Sequence, residues 1–238
     1  MPEFEALWSG GPLFAQAEHF RLSTDSILLA DFADRCKAKK AVDLGSASGI
    51  LPLLLLTADA ARTVTGIEIL PEAAALAEEN LARNGLSERG TILCDDLRRY
   101  RMLLPAGAFD LVTVNPPYYP ARSGHASENA GRAAARTELA CTLRDVCAAA
   151  SWLLRTGGSF CMVHKPERLS EIFCCMTAVG LEPKRLRTVH ARAGRAPSLV
   201  LVEGRRGGHP GLCFEAPLLL QKEDGTETEE LRRIYHRL

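Results

Sequence analysis

Five short apolar runs recur along the first two thirds of the chain, each bounded by a glycine, an acid, an amide or a basic residue. They are residues 40–45 (KAVDLG), 63–69 (TVTGIEI), 90–96 (GTILCDD), 109–115 (FDLVTVN) and 157–164 (GGSFCMVH). Their length and their content of Val, Ile, Leu and Phe predict β-strands. Between them lie residues 50–61, 71–86 and 136–158, rich in Ala, Leu, Glu and Arg, with Pro71 at one start and Gly85 and Gly157 at the ends. These segments predict helices. Strands and helices that alternate imply parallel strands joined by right-handed crossovers, with helices on both faces of the sheet. Beyond residue 180 the rhythm changes. Residues 181–191 and 196–206 read as two β segments joined through a Gly/Pro-containing stretch, and 211–221 as a further strand, so the sheet is expected to end antiparallel. No internal repeat and no long low-complexity linker is apparent.

Composition narrows the class. A chain of 238 residues, 47% hydrophobic, can bury one large core. The expected division is an N-terminal cap (1–39), an α/β core (40–203) and a C-terminal extension (204–238) within a single domain. The longest apolar stretch, Ile50 to Leu56, is far short of a membrane span, and the start, MPEFEALW, is acidic, so a cytoplasmic protein without a membrane partner is expected. Eight cysteines form no C-x-x-C pair, and most are expected to be reduced core residues. The Cys174–Cys175 pair falls in a predicted helix, as packing. Six histidines show no metal-ligand spacing, so no metal is expected. His164 could line a pocket after the fifth strand, although a core or turn role is the simpler reading. Net charge is zero but uneven: residues 1–96 carry 8 basic against 15 acidic side chains, and 97–238 carry 21 against 14. A swing from −7 to +7 hints at a polyanionic partner.

Candidate chemistry gathers where ligands of such sheets bind, at the carboxyl ends of the strands. The first strand ends in VDLGSASG, which places Asp43, Gly45 and Gly49 where a backbone without side chains can approach a ligand closely. The spacing is not that of a dinucleotide loop. Glu68 closes the second strand, suited to accept hydrogen bonds from two ribose hydroxyls. Asp96 follows the third, suited to an adenine amine, with Asp95 as the competing choice. Any one of these acids can instead be a turn or cap residue.

Together these features resemble the class I S-adenosylmethionine-dependent methyltransferases, over about residues 25–203. The resemblance implies a Rossmann-like, mostly parallel seven-stranded sheet with an antiparallel C-terminal strand. It implies S-adenosylmethionine as cofactor, with the loop of Asp43, Gly45, Ala47 and Gly49 beside its methionine part, Glu68 on its ribose, Asp96 at its adenine, and Asn115, after the fourth strand, also touching it. One departure is Ala47, where the family has its middle glycine and where a methyl group could crowd the cofactor.

The fourth strand ends in Asn115-Pro116-Pro117-Tyr118. In this resemblance, N-P-P-Y marks the branch that methylates a nitrogen conjugated to a ring or carbonyl, as in adenine, cytosine or a glutamine amide. Asn115 and the Pro116 carbonyl would accept hydrogen bonds from the amino group and favour its pyramidal, more nucleophilic geometry. Pro116 and Pro117 lock the backbone that presents them, Tyr118 could stack on the planar substrate, and Tyr119 would shape the wall. Without the glycine loop, the same four residues would read as a strand end and a Pro-rich turn.

The segment before the glycine loop, with Phe20, Asp25, Leu28, Leu29 and Ala30, and the A-R-x-E at Ala135, Arg136 and Glu138 resemble the bacterial tRNA(Val) adenine-N6 methyltransferase family. In that resemblance Phe20 and Asp25 help close the cofactor pocket; an ordinary N-capped helix from Ser23 or Thr24 is equally compatible. The implied partner is tRNA. A phosphate-facing set is expected from Arg122, Arg132 and Arg136 in a loop beside the site, and from Lys184, Arg185, Arg187, Arg192, Arg195, Arg205 and Arg206. Two other readings stay open. One is a protein glutamine methyltransferase, disfavoured by the short stretch ahead of the glycine loop. The other is a non-catalytic cofactor or RNA binder disabled at Ala47.

Overall fold

The computed structural model describes residues 2–16, 24–118 and 141–237. Phe20, Tyr119, Arg122, Arg132, Ala135, Arg136 and Glu138 lie outside the described residues. A small antiparallel pair of two-residue strands, β1 (Glu5–Ala6) and β2 (Leu13–Phe14), precedes α1 (Thr24–Asp34). The core then alternates: β3 (Ala38–Leu44), α2 (Ile50–Thr57), β4 (Ala61–Glu68), α3 (Pro71–Arg83), β5 (Gly90–Cys94), the short α4 (Tyr100–Leu103), β6 (Phe109–Val114), α5 (Leu143–Leu153), β7 (Leu154–His164) and α6 (Leu169–Ala178). The chain closes with β8 (Leu181–His190), β9 (Pro197–Arg206), β10 (Cys213–Phe214), β11 (Leu218–Leu219) and α7 (Glu229–Ile234).

The main strands lie in the order β8-β9-β7-β6-β3-β4-β5. All run parallel except β9, which is antiparallel to both β7 and β8. The mixed sheet was expected from the sequence, but the antiparallel strand is not at its end. β9 is slotted one place inside the edge, and the 211–221 segment supplies only the two short strands β10 and β11, both beside β8.

Helices cover both faces, which is why the strands read as almost continuous apolar runs. In β7, Phe160 and Met162 join one core with α5 and α6, while Cys161 and Val163 join the other with α1 and α2. Helix α2 is buried along its whole length from Ile50 to Leu56, as an all-apolar helix must be. Pro52 sits in its first turn, where no intrahelical N–H is missed. Helix α3 opens on Pro71 and ends before Gly85, whose φ of +68° turns the chain out. The expected helix over 136–158 is shorter where it is described. It stops at Leu153, and Gly157, at φ +79°, lies inside β7.

The segment before α1 is tied to α3 by two amides. Asn80, fully buried, exchanges hydrogen bonds with the backbone of Ala15 and also donates to the Ser48 carbonyl in the glycine loop. Asn84 does the same for Leu13 one turn later.

The cysteines depart from expectation. All eight are free, but only Cys147, Cys161 and Cys175 are buried, while Cys94, Cys174 and Cys213 are exposed. Cys174 faces out because adjacent residues on a helix point about 100° apart, so only one of the pair can pack inward.

Candidate active site

Strand order reverses at β3, between β4 and β6, and Asp43, Glu68 and Asn115 lie at the carboxyl ends of these three strands. Gly45 (φ +77°) and Gly49 (φ +80°) turn the chain sharply between β3 and α2. A Cβ on Gly49 would lie 2.8 Å from that of Ala77, so this glycine sets how closely α3 crosses the loop. A Cβ on Gly45 would meet nothing within 4 Å and would project into the space beside the loop. Gly66, which the sequence reading passed over, makes room in β4: a Cβ there would stand 2.5 Å from Ser46 Oγ.

Ala47, at φ +47°, occupies the left-handed region that favours glycine. Its N–H donates to Glu68 Oε2 at 2.8 Å, and Leu70 N–H donates to Glu68 Oε1 at 2.9 Å. Glu68 thus ties the glycine loop to the start of α3, while each oxygen keeps a lone pair for a further donor. Because a left-handed alanine costs about 1–2 kcal/mol, Ala47→Gly is expected to stabilise the protein by about 1 kcal/mol after the added chain entropy of glycine. Denaturant midpoints check this. A lower midpoint would mean that the alanine is not held in that conformation.

Asp43 is fully buried. One oxygen accepts from Thr113 Oγ1 at 2.8 Å, while Oδ2 has no partner among the described residues. Burial raises its pKa to about 7, partly offset by the hydrogen bond from Thr113. The raised pKa means that the folded protein holds this proton where the unfolded chain has lost it. Asp43 therefore contributes stability at pH below about 4 that is lost as pH rises through about 7. Asp43→Asn, a neutral isostere, should flatten that fall, matching the wild type near pH 4 and exceeding it near pH 8. Parallel stability curves from pH 4 to 8 would contradict the assignment.

Asp95 and Asp96 both engage arginines. Asp96 accepts from Arg98 N–H at 2.9 Å and pairs with its guanidinium, which holds the carboxyl below the usual range. Asp95 pairs with Arg99 at 2.9 Å and accepts from Asp96 N–H.

At the end of β6, Asn115 is oriented from two sides. Its Nδ2 donates to Ser26 Oγ at 2.9 Å, and its Oδ1 lies 3.2 Å from the Tyr118 hydroxyl. That hydroxyl also donates to Asp25 Oδ2, by a short contact. A phenol has one proton, and the carboxylate is the stronger acceptor. The contact with Asn115 is consequently the minor branch, and Oδ1 keeps capacity for an amino group. Burial, then the charge of Asp25, pushes the Tyr118 pKa up, so the phenol stays protonated.

Asp25 thus reaches the N-P-P-Y segment from the first turn of α1. Ser26 beside it, buried, was missed by sequence reading, and its place immediately after Asp25 was the only hint. His164 closes the far side, 5.3 Å from the Tyr118 ring, and Lys165 Nζ lies 5.1 Å over that ring. Lys165 N–H donates to His164 Nδ1, so the ring proton is on Nε2. Burial lowers the His164 pKa to about 4, and the ring is neutral at ordinary pH.

The basic residues among those described do not form one patch. Arg192 and Arg195 lie in the β8–β9 turn, at the same sheet edge as Asn115. Because β9 runs antiparallel, Arg205 and Arg206 end up at the opposite edge, beside Ser159 and Leu181. Arg185 is enclosed by Glu203, Glu215 and the Phe32 carbonyl, and Arg187 by Glu230 and the Ala216 carbonyl. Lys184 donates to the His209 carbonyl. The carboxylates hold Arg185 and Arg187 inside the fold, away from a phosphate partner.

No group of three or more His, Cys, Asp or Glu side chains suited to a metal occurs among the described residues. Nor is any described helix long and apolar enough to cross a membrane.

A parallel sheet with an inserted antiparallel strand, a glycine loop, strand-end acids and an oriented N-P-P-Y define a methyltransferase. The sequence profile of the methyltransferase small domain matches residues 19–172, and the chain belongs to that family. Within it, the chain is 30% identical over 210 residues to the tRNA1(Val) (adenine(37)-N6)-methyltransferase of Aeromonas hydrophila, covering 88% of this chain and 86% of that protein. It is 31% identical to the enzyme of the same name from Cronobacter sakazakii, over 86% and 82% of the two chains. Among solved structures, a predicted O-methyltransferase from Agrobacterium tumefaciens superposes with a TM-score of 0.70 at 23% identity, over 90% of this chain and 96% of that one. Geranyl diphosphate C-methyltransferase from Streptomyces coelicolor, solved with S-adenosyl-L-homocysteine, gives 0.55 at 13% identity, over 75% and 80%. These structures share the fold.

The residues fit S-adenosylmethionine. Gly45 leaves open space at the loop, Asp43 has a buried oxygen with no partner among the described residues, and Glu68 has lone pairs to spare at the neighbouring strand end.

Proposed function

We propose that the protein transfers a methyl group from S-adenosylmethionine to the exocyclic N6 of an adenine in tRNA, at the position next to the anticodon. The observation that carries this reading is the Asn115 side chain, held by Ser26 and Tyr118 with an acceptor oxygen to spare. When bound, the cofactor supplies an electrophilic methyl group. Asn115 Oδ1 and the Pro116 carbonyl accept from the adenine amine and hold its nitrogen lone pair out of the ring plane. Such preorganised acceptors act without a strong base, and the neutral His164 and protonated Tyr118 are consistent with that. Tyr118 presents its ring to the base, which must be unstacked from its loop to meet Asn115 edge-on. Gly45, Ala47, Gly49, Asp43, Glu68 and Asp96 are the residues proposed to hold the cofactor, with Phe20 and Asp25 closing its pocket. A tRNA substrate is consistent with a cytoplasmic protein.

Phosphate contacts are proposed at Arg192 and Arg195, which share the edge of the active site, and at Arg122, Arg132 and Arg136. Replacing Arg192 and Arg195 together by alanine should weaken tRNA binding and reduce the slope of log K against log salt by up to about 2. An unchanged slope would remove them from the interface.

The proposal is tested by methyl transfer from labelled S-adenosylmethionine to total bacterial tRNA and, separately, to total protein. The expected product is N6-methyladenosine in tRNA, lost in Asn115→Ala. Label in protein alone, or in neither pool, would overturn it.

A further inference from the structure

At the edge of the sheet opposite Asn115, a cavity of about 420 Å³ opens where β3, β6 and β7 begin. Five cationic residues line it, Arg35, Lys37, Lys39, Arg155 and Arg205, with one acid, Asp110, and with Cys36. Cys36 follows α1, and its Sγ lies 3.9 Å from Sγ of Cys161, which is wholly buried in β7. The two thiols are 125 residues apart in sequence and serve no step of methyl transfer.

We propose that Cys36 and Cys161 form a peroxide-reactive dithiol, with Cys36 the attacking thiol, Cys161 the resolving one and a small hydroperoxide the oxidant that enters through the cavity. The Cys36 thiolate attacks the outer peroxide oxygen and the O–O bond breaks. Cys36 becomes a sulfenic acid, and the departing oxygen takes up a proton to leave as water or an alcohol. Cys161 Sγ then loses its proton, bonds to Cys36 Sγ and displaces hydroxide, which leaves as water. The two thiols give up two electrons and two protons, the peroxide is reduced by two electrons, and a disulfide results.

The assignment of roles follows from access. Cys36 borders the cavity, whereas Cys161 is sealed beneath it, so only Cys36 meets an oxidant from outside. The hydrogen bond from Cys161 lowers the Cys36 pKa and, with burial, raises that of Cys161. Two carboxylates bear on the site and both are compensated: Asp110 lines the cavity and pairs with Arg155, and Glu203, whose charge opposes the Cys36 thiolate, accepts from Ser159, Arg185 and Arg205. Closing the disulfide needs the sulfurs to approach from 3.9 Å to about 2.05 Å, a movement available to the half-buried Cys36. Among the other thiols, burial pushes Cys141 and Cys147 up to about 12, which makes them poor competitors.

The test is a time course of the intact protein with hydrogen peroxide, followed by alkylation, digestion without reductant and mass mapping of all eight cysteines. The expected first product is the Cys36–Cys161 cross-linked peptide, reversed by a reductant and accompanied by a higher Tm. In Cys161→Ser, Cys36 should stop as a sulfenic acid that a dimedone probe captures. Oxidation of the exposed Cys94, Cys174 or Cys213 ahead of Cys36, or oxidised Cys36 without the cross-link in the wild type, would overturn the proposal. The wild-type map decides even if the Cys161 variant does not fold.

Discussion

Asn115→Ala is expected to lower kcat by about 10²–10³, with the dissociation constant of S-adenosylmethionine almost unchanged, as for the loss of one preorganised transition-state hydrogen bond. The nitrogen of an adenine amine is a poor nucleophile because its lone pair is delocalised into the ring, and an acceptor that draws its hydrogens aside restores the lone pair only as the bond forms. Asn115 can do this because its other bonds are fixed. Ser26 holds Nδ2, and the Tyr118 hydroxyl, bound to Asp25, flanks Oδ1. Alanine at 115 removes the acceptor but leaves the Glu68–Ala47 and Asp43–Thr113 contacts of the proposed cofactor side intact. Single-turnover methyl transfer and calorimetric titration of the cofactor separate the two effects. A fall confined to cofactor affinity would contradict the role given to Asn115.

Much of this site was legible in the chain because its markers are local. A strand that ends in Asn-Pro-Pro and a loop with glycines at 45 and 49 each carry their backbone requirement in a few residues, and the fold sets them side by side through parallel strands β3 and β6. What was not legible depends on distance. Ser26 meets Asn115 across 89 residues, and nothing near either one signals the other. The helix expected through Gly158 failed for a related reason. Leu153 and Leu154 continue the apolar rhythm, but the backbone becomes extended at Leu154, where pairing with β6 takes over.

The arginines show the same limit more strongly. From β8 and β9 they read as a single basic stripe, yet strand direction sends Arg205 to one edge and Arg195 to the other. Charge along a sequence therefore indicates a surface only once the strand order and the buried carboxylates are known.

Arg185 gives the sharpest consequence. Arg185→Ala is expected to lower the unfolding free energy by about 3–5 kcal/mol, the usual effect of removing one partner from a buried ion pair. The Glu203 side chain is only 4% exposed, and Arg185 is its main counter-charge. Arg185 also reaches Glu215 at 3.0 Å and the Phe32 carbonyl at 2.9 Å, and its guanidinium lies 4.1 Å over the Phe32 ring. Burial pushes the Glu203 pKa up, but hydrogen bonding and charge from Arg185 outweigh it and hold the carboxyl below its usual range. With a depressed folded pKa, Glu203 in the wild type contributes stability above the unfolded pKa that is lost as pH falls through the folded one. Without Arg185, Glu203 keeps only Ser159 and the half-exposed Arg205 among the described residues, so desolvation is offset less, the folded pKa of the carboxyl rises, and the stability it contributes near neutral pH shrinks. The deficit of the variant should therefore be largest near neutral pH and shrink toward pH 4, which denaturant titration at the two pH values measures. Replacing Arg185 and Glu203 together with methionine should recover much of the loss, since no charge is then buried alone. The salt dependence of tRNA binding by Arg185→Ala, measured below its Tm, should match the wild type. A slope reduced by about 1 with stability unchanged would instead mark Arg185 as a phosphate contact.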